Sequence, residues 1–362
     1  MKMTNWWLYN KLDTLSKFQI YSKPKKIKDA LKLDANENLV LNKDLISEVA
    51  LRVLKYTDLR EYPPEETEEG LYRSLAEYTG VNKRYLAIGN GSDQIIDLIL
   101  STIGKNRRCT IFTPTFSYFI SRCELHGIVL NRVALNKRDN TVDKLDFLKS
   151  AMDSDIVYIC SPNNPTGNQF DRKFLLEIIE SLTDKLILFD EAYVEFAKYT
   201  LISYISKNNN IVLLRTLSKA FGLAGARLGY LIANEKIARI FRSTIQSPYP
   251  LNSLSLTIAS IMLSQYRHRV NETVQLIKNE RKRMYDHLSK INGIKVFTSD
   301  ANFIFFESGD KFNSILKNLQ KNRLVVKVFG DIDNRKGCMR VTVGTYEMNN
   351  KFLKSITRAT TS

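Results

Sequence analysis

Between about residues 84 and 233 the chain alternates short apolar runs with stretches of helical spacing. The runs cover residues 85–88, 109–112, 128–135, 156–160, 186–189, 211–214 and 229–232. Each is short and bounded by polar or turn-forming residues, which predicts a buried strand rather than a helix. Between them Ile95, Ile99 and Ile103 fall on one helical face, and Phe174, Ile178 and Leu182 on another. Strands alternating with helices predict an α/β fold, a large doubly wound domain with a mainly parallel sheet and helices on both faces, over residues 51–248.

The texture changes after Pro248 and Pro250. Val270, Val274, Ile277, Met284 and Leu288 keep helical spacing through a long charged helix. Strand-like runs follow at 295–297, 302–306, 324–328 and 339–343, with helices near 312–320 and 347–358. This mixture predicts a smaller α+β domain over residues 249–362. Residues 1–50 show no sheet pattern of their own and are expected to form an arm packing with that domain.

Composition narrows the class. The 362 residues are 44% apolar and 25% charged, with 15 Gly and 8 Pro, enough for a sizeable core and unlike a fibrous, repetitive or disordered chain. A balance of 54 Lys+Arg against 38 Asp+Glu gives +16, which suits an anionic partner such as a phosphorylated metabolite. The charge is dispersed, however. The densest runs, Lys23 to Lys28 and Arg281 to Arg283, carry no nucleic-acid signature, so neither nucleic acid nor a membrane is expected as partner. Cys109, Cys123, Cys160 and Cys338 are far apart, and three sit in or beside apolar runs, as reduced thiols do. His126, His268 and His287 form no cluster, which argues against a metal site. No apolar stretch reaches the roughly 18 residues of a spanning helix, and a cytoplasmic location is expected.

The candidate chemistry collects just after the strands. Five of them run directly into polar segments: Gly89-Asn90-Gly91-Ser92-Asp93, Thr113-Pro114-Thr115-Phe116, Ser161 to Gly167, Asp190-Glu191-Ala192-Tyr193 and Thr216-Leu217-Ser218-Lys219. Singly each reads as an ordinary turn, helix cap or core residue. In an open parallel sheet, though, all five lie on one edge, where loops and helix N-termini converge on ligands.

These segments, with Leu33 to Asn38 near the start and Met339 to Thr345 near the end, resemble the fold-type I aminotransferases that depend on pyridoxal 5'-phosphate, and most closely the histidinol-phosphate aminotransferase family. The resemblance implies the cofactor pyridoxal 5'-phosphate. It makes Lys219 the amine that condenses with the cofactor aldehyde and moves a proton at the substrate α-carbon. Asp190 becomes the carboxylate that keeps the pyridine nitrogen protonated. Asn164 and Tyr193 would bond the ring's phenolic oxygen, and Phe116 would stack on the ring. Amides of Ser92 and Asp93 at a helix N-terminus, hydroxyls of Thr216 and Ser218, and Arg227, eight residues past the lysine, would hold the phosphate. Tyr62 would reach in from a second subunit, which implies a homodimer with shared active sites.

For substrate, the resemblance makes Arg340 the carboxylate-gripping arginine with Asn36 beside it. Tyr21 and, across the dimer, Tyr249 would line the side-chain pocket. The chain departs from the family in Leu39-Val40 where proline often follows Asn-Glu-Asn, and in Gln94 for a common glutamate. Lys327 stands thirteen residues before Arg340, where a phosphate-binding arginine is expected. The implied reaction is amino transfer between L-histidinol phosphate and 2-oxoglutarate, small molecules both. An aromatic amino-acid aminotransferase, a decarboxylase of a phosphorylated amino acid and a catalytically silent cofactor- or nucleic-acid-binding protein stay open. A phosphorylated substrate further requires Lys327 and Arg340 on one side of the pocket, brought together by pairing of strands 324–328 and 339–343.

Overall fold

A computed structural model of the chain describes residues 7–18 and 28–361. In chain order its elements are α1 (Trp7–Ser16), β1 (Leu31–Leu33), α2 (Lys43–Tyr56), α3 (Glu65–Thr79), β2 (Leu86–Asn90), α4 (Gly91–Thr102), β3 (Arg108–Thr113), α5 (Ser117–Leu125) and β4 (Val129–Ala134). Then come α6 (Lys144–Met152), β5 (Ile156–Cys160), α7 (Arg172–Ser181), β6 (Leu186–Asp190), β7 (Ile211–Thr216), β8 (Leu228–Ala233), α8 (Glu235–Ile240) and α9 (Ser253–Gln265). The chain closes with α10 (Arg267–Leu288), β9 (Lys295–Val296), β10 (Phe303–Glu307), α11 (Phe312–Lys321), β11 (Leu324–Ile332), β12 (Arg335–Thr342) and α12 (Tyr346–Thr361).

Seven strands form the large sheet in the order β2-β8-β7-β6-β5-β3-β4. Only β8 runs antiparallel to its neighbours, so β2, β3, β5, β6 and β7 all point their C-termini to one edge. The sheet is covered on both faces, and the two-residue period of a strand divides its side chains between them. Val157 and Ile159 of β5 join the core beneath α6, α7 and α9, while Ile156, Tyr158 and Cys160 join the opposite core with Ile95, Ile99 and Phe119 of α4 and α5. At the sheet margin β4 leaves Val129 exposed. Ile103, expected on the buried face of α4, is the C-cap of that helix and largely exposed, because the chain turns off there.

The small sheet has the order β1-β11-β12-β10-β9. Its edge comes from the N-terminal segment, which does carry a strand: Leu31–Leu33 pairs in parallel with Leu324, Val325 and Val326. Three residues are too few for a periodic signal, so the strand exists only because β11 offers a free edge. Beyond Pro248, α9 packs on α2, α3 and β8 beside the large sheet, and the chain crosses to the small sheet along α10, whose Val270, Val274, Ile277, Met284 and Leu288 are buried. All four cysteines are buried and free. Among the described residues no helix is long and apolar enough to cross a membrane.

Candidate active site

A cavity of about 400 Å³ opens at the C-terminal edge of the large sheet and is roofed by β11 and β12 of the small sheet. Its wall brings together Asn36, Ser92, Asp93, Phe116, Asn164, Asp190, Tyr193, Thr216, Ser218, Lys219, Arg227, Lys327 and Arg340. Tyr62 and Tyr249 lie elsewhere, both exposed and stacked on each other with ring centroids 4.4 Å apart. Tyr21 lies outside the described residues.

One end of the cavity is built for an anion. The helix α4 starts at Gly91 directly after β2, so its first N–H groups face the cavity with no intrahelical partner. Gly91 has a φ of +77°, and a Cβ there would come within 2.6 Å of Arg227 Nη2. Close below, β8 runs so near α4 that a Cβ on Gly229 would lie 2.2 Å from the Ser92 nitrogen. Arg227 pairs with Asp93 at 3.0 Å. Gln94 accepts from the Asn90 N–H at 2.7 Å, a reach-back cap that glutamate would make equally, so this departure leaves the helix start unchanged.

In the middle, β7 ends at Thr216, whose hydroxyl accepts the Ser218 N–H at 3.1 Å. That side-chain turn folds the chain back and sends Lys219 inward. The Lys219 Nζ donates to the Ala35 carbonyl at 3.0 Å and sits 5.8 Å from the centre of the Tyr193 ring. Burial, aided by the Arg340 charge, pushes its pKa down to about 8. Asp190, the last residue of β6, is 2% exposed and accepts from the Tyr158 hydroxyl at 2.8 Å and the Ala192 N–H at 3.0 Å. Burial pushes its carboxyl up to about 6, against those two hydrogen bonds. Asp190 thus has no cation in an ion pair among the described residues, although its carboxylate faces a cavity.

Next to it Glu191 turns the other way and is held by Arg215 at 2.7 Å, with Thr200 and the Leu201 N–H as further donors. Both partners are buried, so this pair is a strut behind the site. Glu191→Ala should cost about 3–5 kcal/mol, because it strands a buried guanidinium. Chemical denaturation checks this; a loss below about 1 kcal/mol would refute the strut.

The roof carries the remaining cations. Lys327 and Arg340 are direct cross-strand partners in the β11–β12 ladder, on one side of the cavity as a phosphorylated substrate requires. Arg340 donates to the Asn164 side-chain oxygen and to the Asp34 carbonyl, the latter at 2.7 Å. Its guanidinium carbon lies 5.1 Å from the Phe303 ring centre and 5.9 Å from that of Phe329. Lys327 is half-buried, and its ammonium makes no hydrogen bond or ion pair among the described residues. Asn36, φ +55°, donates from Nδ2 to the Tyr193 hydroxyl at 2.9 Å.

Sequence reasoning missed four contributors. Tyr158 reads as core, yet a tyrosine inside a wholly buried strand needs a partner for its hydroxyl, and that was the available signal. The Asp34 and Ala35 carbonyls have no side-chain signature at all. Phe329 looks like any strand aromatic.

Residues 28–356 match the model of the family described as aminotransferase class I and II. A histidinol-phosphate aminotransferase of Ruminiclostridium cellulolyticum is 34% identical over 331 residues, 90% of this chain and 91% of that one. One from Pyrococcus furiosus is 36% identical over 325 residues, 90% of each chain. Among solved structures, the histidinol-phosphate aminotransferase from Clostridium acetobutylicum superposes with a TM-score of 0.83 at 24% identity, covering 91% of this chain and 99% of that one. That from Sinorhizobium meliloti, solved in complex with pyridoxal-5'-phosphate, gives 0.82 at 21% identity, covering 92% and 91%. The two superpositions speak for the fold.

Proposed function

The chain belongs to the class I and II aminotransferases, and from that premise we propose that it binds pyridoxal 5'-phosphate and moves an amino group between L-histidinol phosphate and 2-oxoglutarate. The observation that carries the substrate reading is the Lys327–Arg340 pair, two cations side by side on the roof facing Lys219. The curated relatives, which bear the histidinol-phosphate aminotransferase name over nine-tenths of the chain, support it.

The donor set fits the cofactor. A buried carboxylate raised to about 6 has no ion-pair partner among the described residues, and a pyridinium would supply one. A helix N-terminus, Thr216, Ser218 and Arg227 suit a phosphate at the other end. When bound, the cofactor supplies an electrophilic aldehyde and an electron sink. Lys219, its pKa lowered to about 8 by burial, would offer an accessible share of free amine to that group and would carry the proton to and from the substrate α-carbon. Asp190 holds the proton on the ring nitrogen, with Tyr158 and the Ala192 N–H fixing the carboxylate's direction. Tyr193 and Asn164 stand ready for the phenolic oxygen, and Phe116 for the ring face. Arg340 receives a carboxylate with its planar fork, while Lys327 receives the phosphate as a point charge.

Exposed Leu51, Leu54, Tyr56, Leu59, Tyr62 and Tyr249 support a homodimer that would present Tyr62 and Tyr249 to the partner's cavity. Lys327→Ala should raise KM for histidinol phosphate about tenfold or more, the worth of one charge-assisted contact, and leave phenylalanine, which has no distal anion, nearly unaffected. Steady-state kinetics with both donors decide it. Equal effects, or a wild-type preference for phenylalanine, would replace this reading with an aromatic aminotransferase.

A further inference from the structure

Arg335 opens β12, and its side chain is wholly buried although it carries a full charge. Nη1 donates to the Glu307 carboxylate and to the Lys137 carbonyl, both at 3.0 Å. Nη2 donates to the Asn136 carbonyl at 3.0 Å and to the Asn140 side-chain oxygen at 2.8 Å. Glu307 belongs to the small sheet, so the charge is balanced within that sheet. The other three acceptors belong to the loop that follows β4 at the margin of the large sheet. Lys295 adds a second cross-domain bond to the same Lys137 carbonyl, at 2.5 Å.

That loop is tied in turn to the segment carrying Asn164. The Asn168 amide donates to the Asn140 carbonyl at 3.4 Å, Thr166 donates to Asn168 at 2.6 Å, and Asn163 donates to Thr166 at 2.7 Å. From the far part of the same strand, Arg340 crosses to Asn164 itself. The strand β12 is therefore fastened to the large domain at two points, one at the cavity and one at its beginning.

We propose that Arg335 is a positioning residue for the substrate cations: anchored in the 136–140 loop, it sets the height of the β11–β12 hairpin and hence the reach of Lys327 and Arg340 over Lys219. The planar fork serves two successive carbonyls from one nitrogen pair, which a lysine cannot do. The effect on phosphorylated substrate rests on the function proposed above; the anchoring does not.

Two variants test it. Asn140→Gly removes one acceptor and suits the left-handed backbone there, φ +61°. Arg335→Lys keeps a cation opposite Glu307 but loses the fork; if it fails to fold, Asn140→Gly carries the test. In cofactor-free protein, amide hydrogen exchange over residues 136–140 and 328–335 should quicken by about fivefold or more, as expected for loss of one or two hydrogen bonds. In holoenzyme, KM for histidinol phosphate should rise about five- to tenfold, with kcat within about twofold and cofactor affinity unchanged. Unchanged exchange in the folded variants overturns the anchor. Faster exchange with unchanged KM, or a fall in cofactor affinity alone, overturns the positioning role. Should wild-type enzyme ignore histidinol phosphate, the proposed function fails, and the same KM comparison on the accepted amino donor still decides the role of Arg335.

Discussion

Lys219→Ala leaves a protein that still captures the cofactor phosphate but has lost at least about four orders of magnitude in kcat. Two roles disappear together: the amine that reacts with the aldehyde, and the base that moves the α-proton, for which proton transfer alone contributes about 10²–10⁴-fold. The anion end of the cavity does not involve the Lys219 side chain, so phosphate binding survives. The stability sign is separate. Lysine folded at about 8 against 10.5 unfolded means that the unfolded chain holds more protons between those values. Cofactor-free protein therefore gains stability as pH rises from 8 to 10.5 and bears the full cost of a buried ammonium below 8. The alanine variant, relieved of that cost, should melt no lower than wild type at pH 7. Borohydride reduction and peptide mapping of the wild type should place the pyridoxyl label on Lys219; a label on another lysine would sink the assignment.

Asp190→Asn should cost about 10²–10³-fold in kcat, comparable to removing one preorganised charge partner from the reacting system. It should also act in opposite directions on the two forms of the protein. The carboxyl titrates at about 6 folded against 3.8 unfolded, so the folded state holds the extra proton in that window and stability is lost as pH rises through it. At pH 8 the ionised carboxylate, hydrogen-bonded but without an ion-pair partner among the described residues, then costs the cofactor-free fold about 3 kcal/mol. A neutral amide can accept the Ala192 N–H on its oxygen and donate from its NH2 to the Tyr158 hydroxyl oxygen, reversing that bond, without the cost of the charge. The cofactor-free variant should melt a few degrees above wild type at pH 8 and lose the slope between about pH 4 and 6, while its cofactor affinity falls. Near-wild-type kcat, or a lower melting temperature without cofactor, would contradict an unpaired anion waiting for a cation.

What the sequence determined by itself is the order of elements and the edge on which chemistry collects. Apolar periodicity is a local property: each strand of the large sheet could be read from its own few residues, and the directions of a doubly wound sheet then carry Ser92, Phe116, Asn164, Asp190 and Lys219 to one side. Tertiary structure decided whatever depends on two distant segments meeting. The pairing of Lys327 with Arg340 holds only in one register of a ladder that carries irregularities at Val328 to Ile332. Ile103 has the helical spacing of a core residue but lies where the helix has already ended, and Leu31–Leu33 has no spacing yet becomes a strand on a free edge. Tyr158 acquires its meaning from Asp190 on the neighbouring strand, and Arg335 from three acceptors some 200 positions earlier in the chain. Hydrogen bonds to backbone carbonyls, such as those of Asp34, Ala35, Asn136 and Lys137, leave no mark on side-chain identity. They are settled only when burial forces each buried donor to find an acceptor.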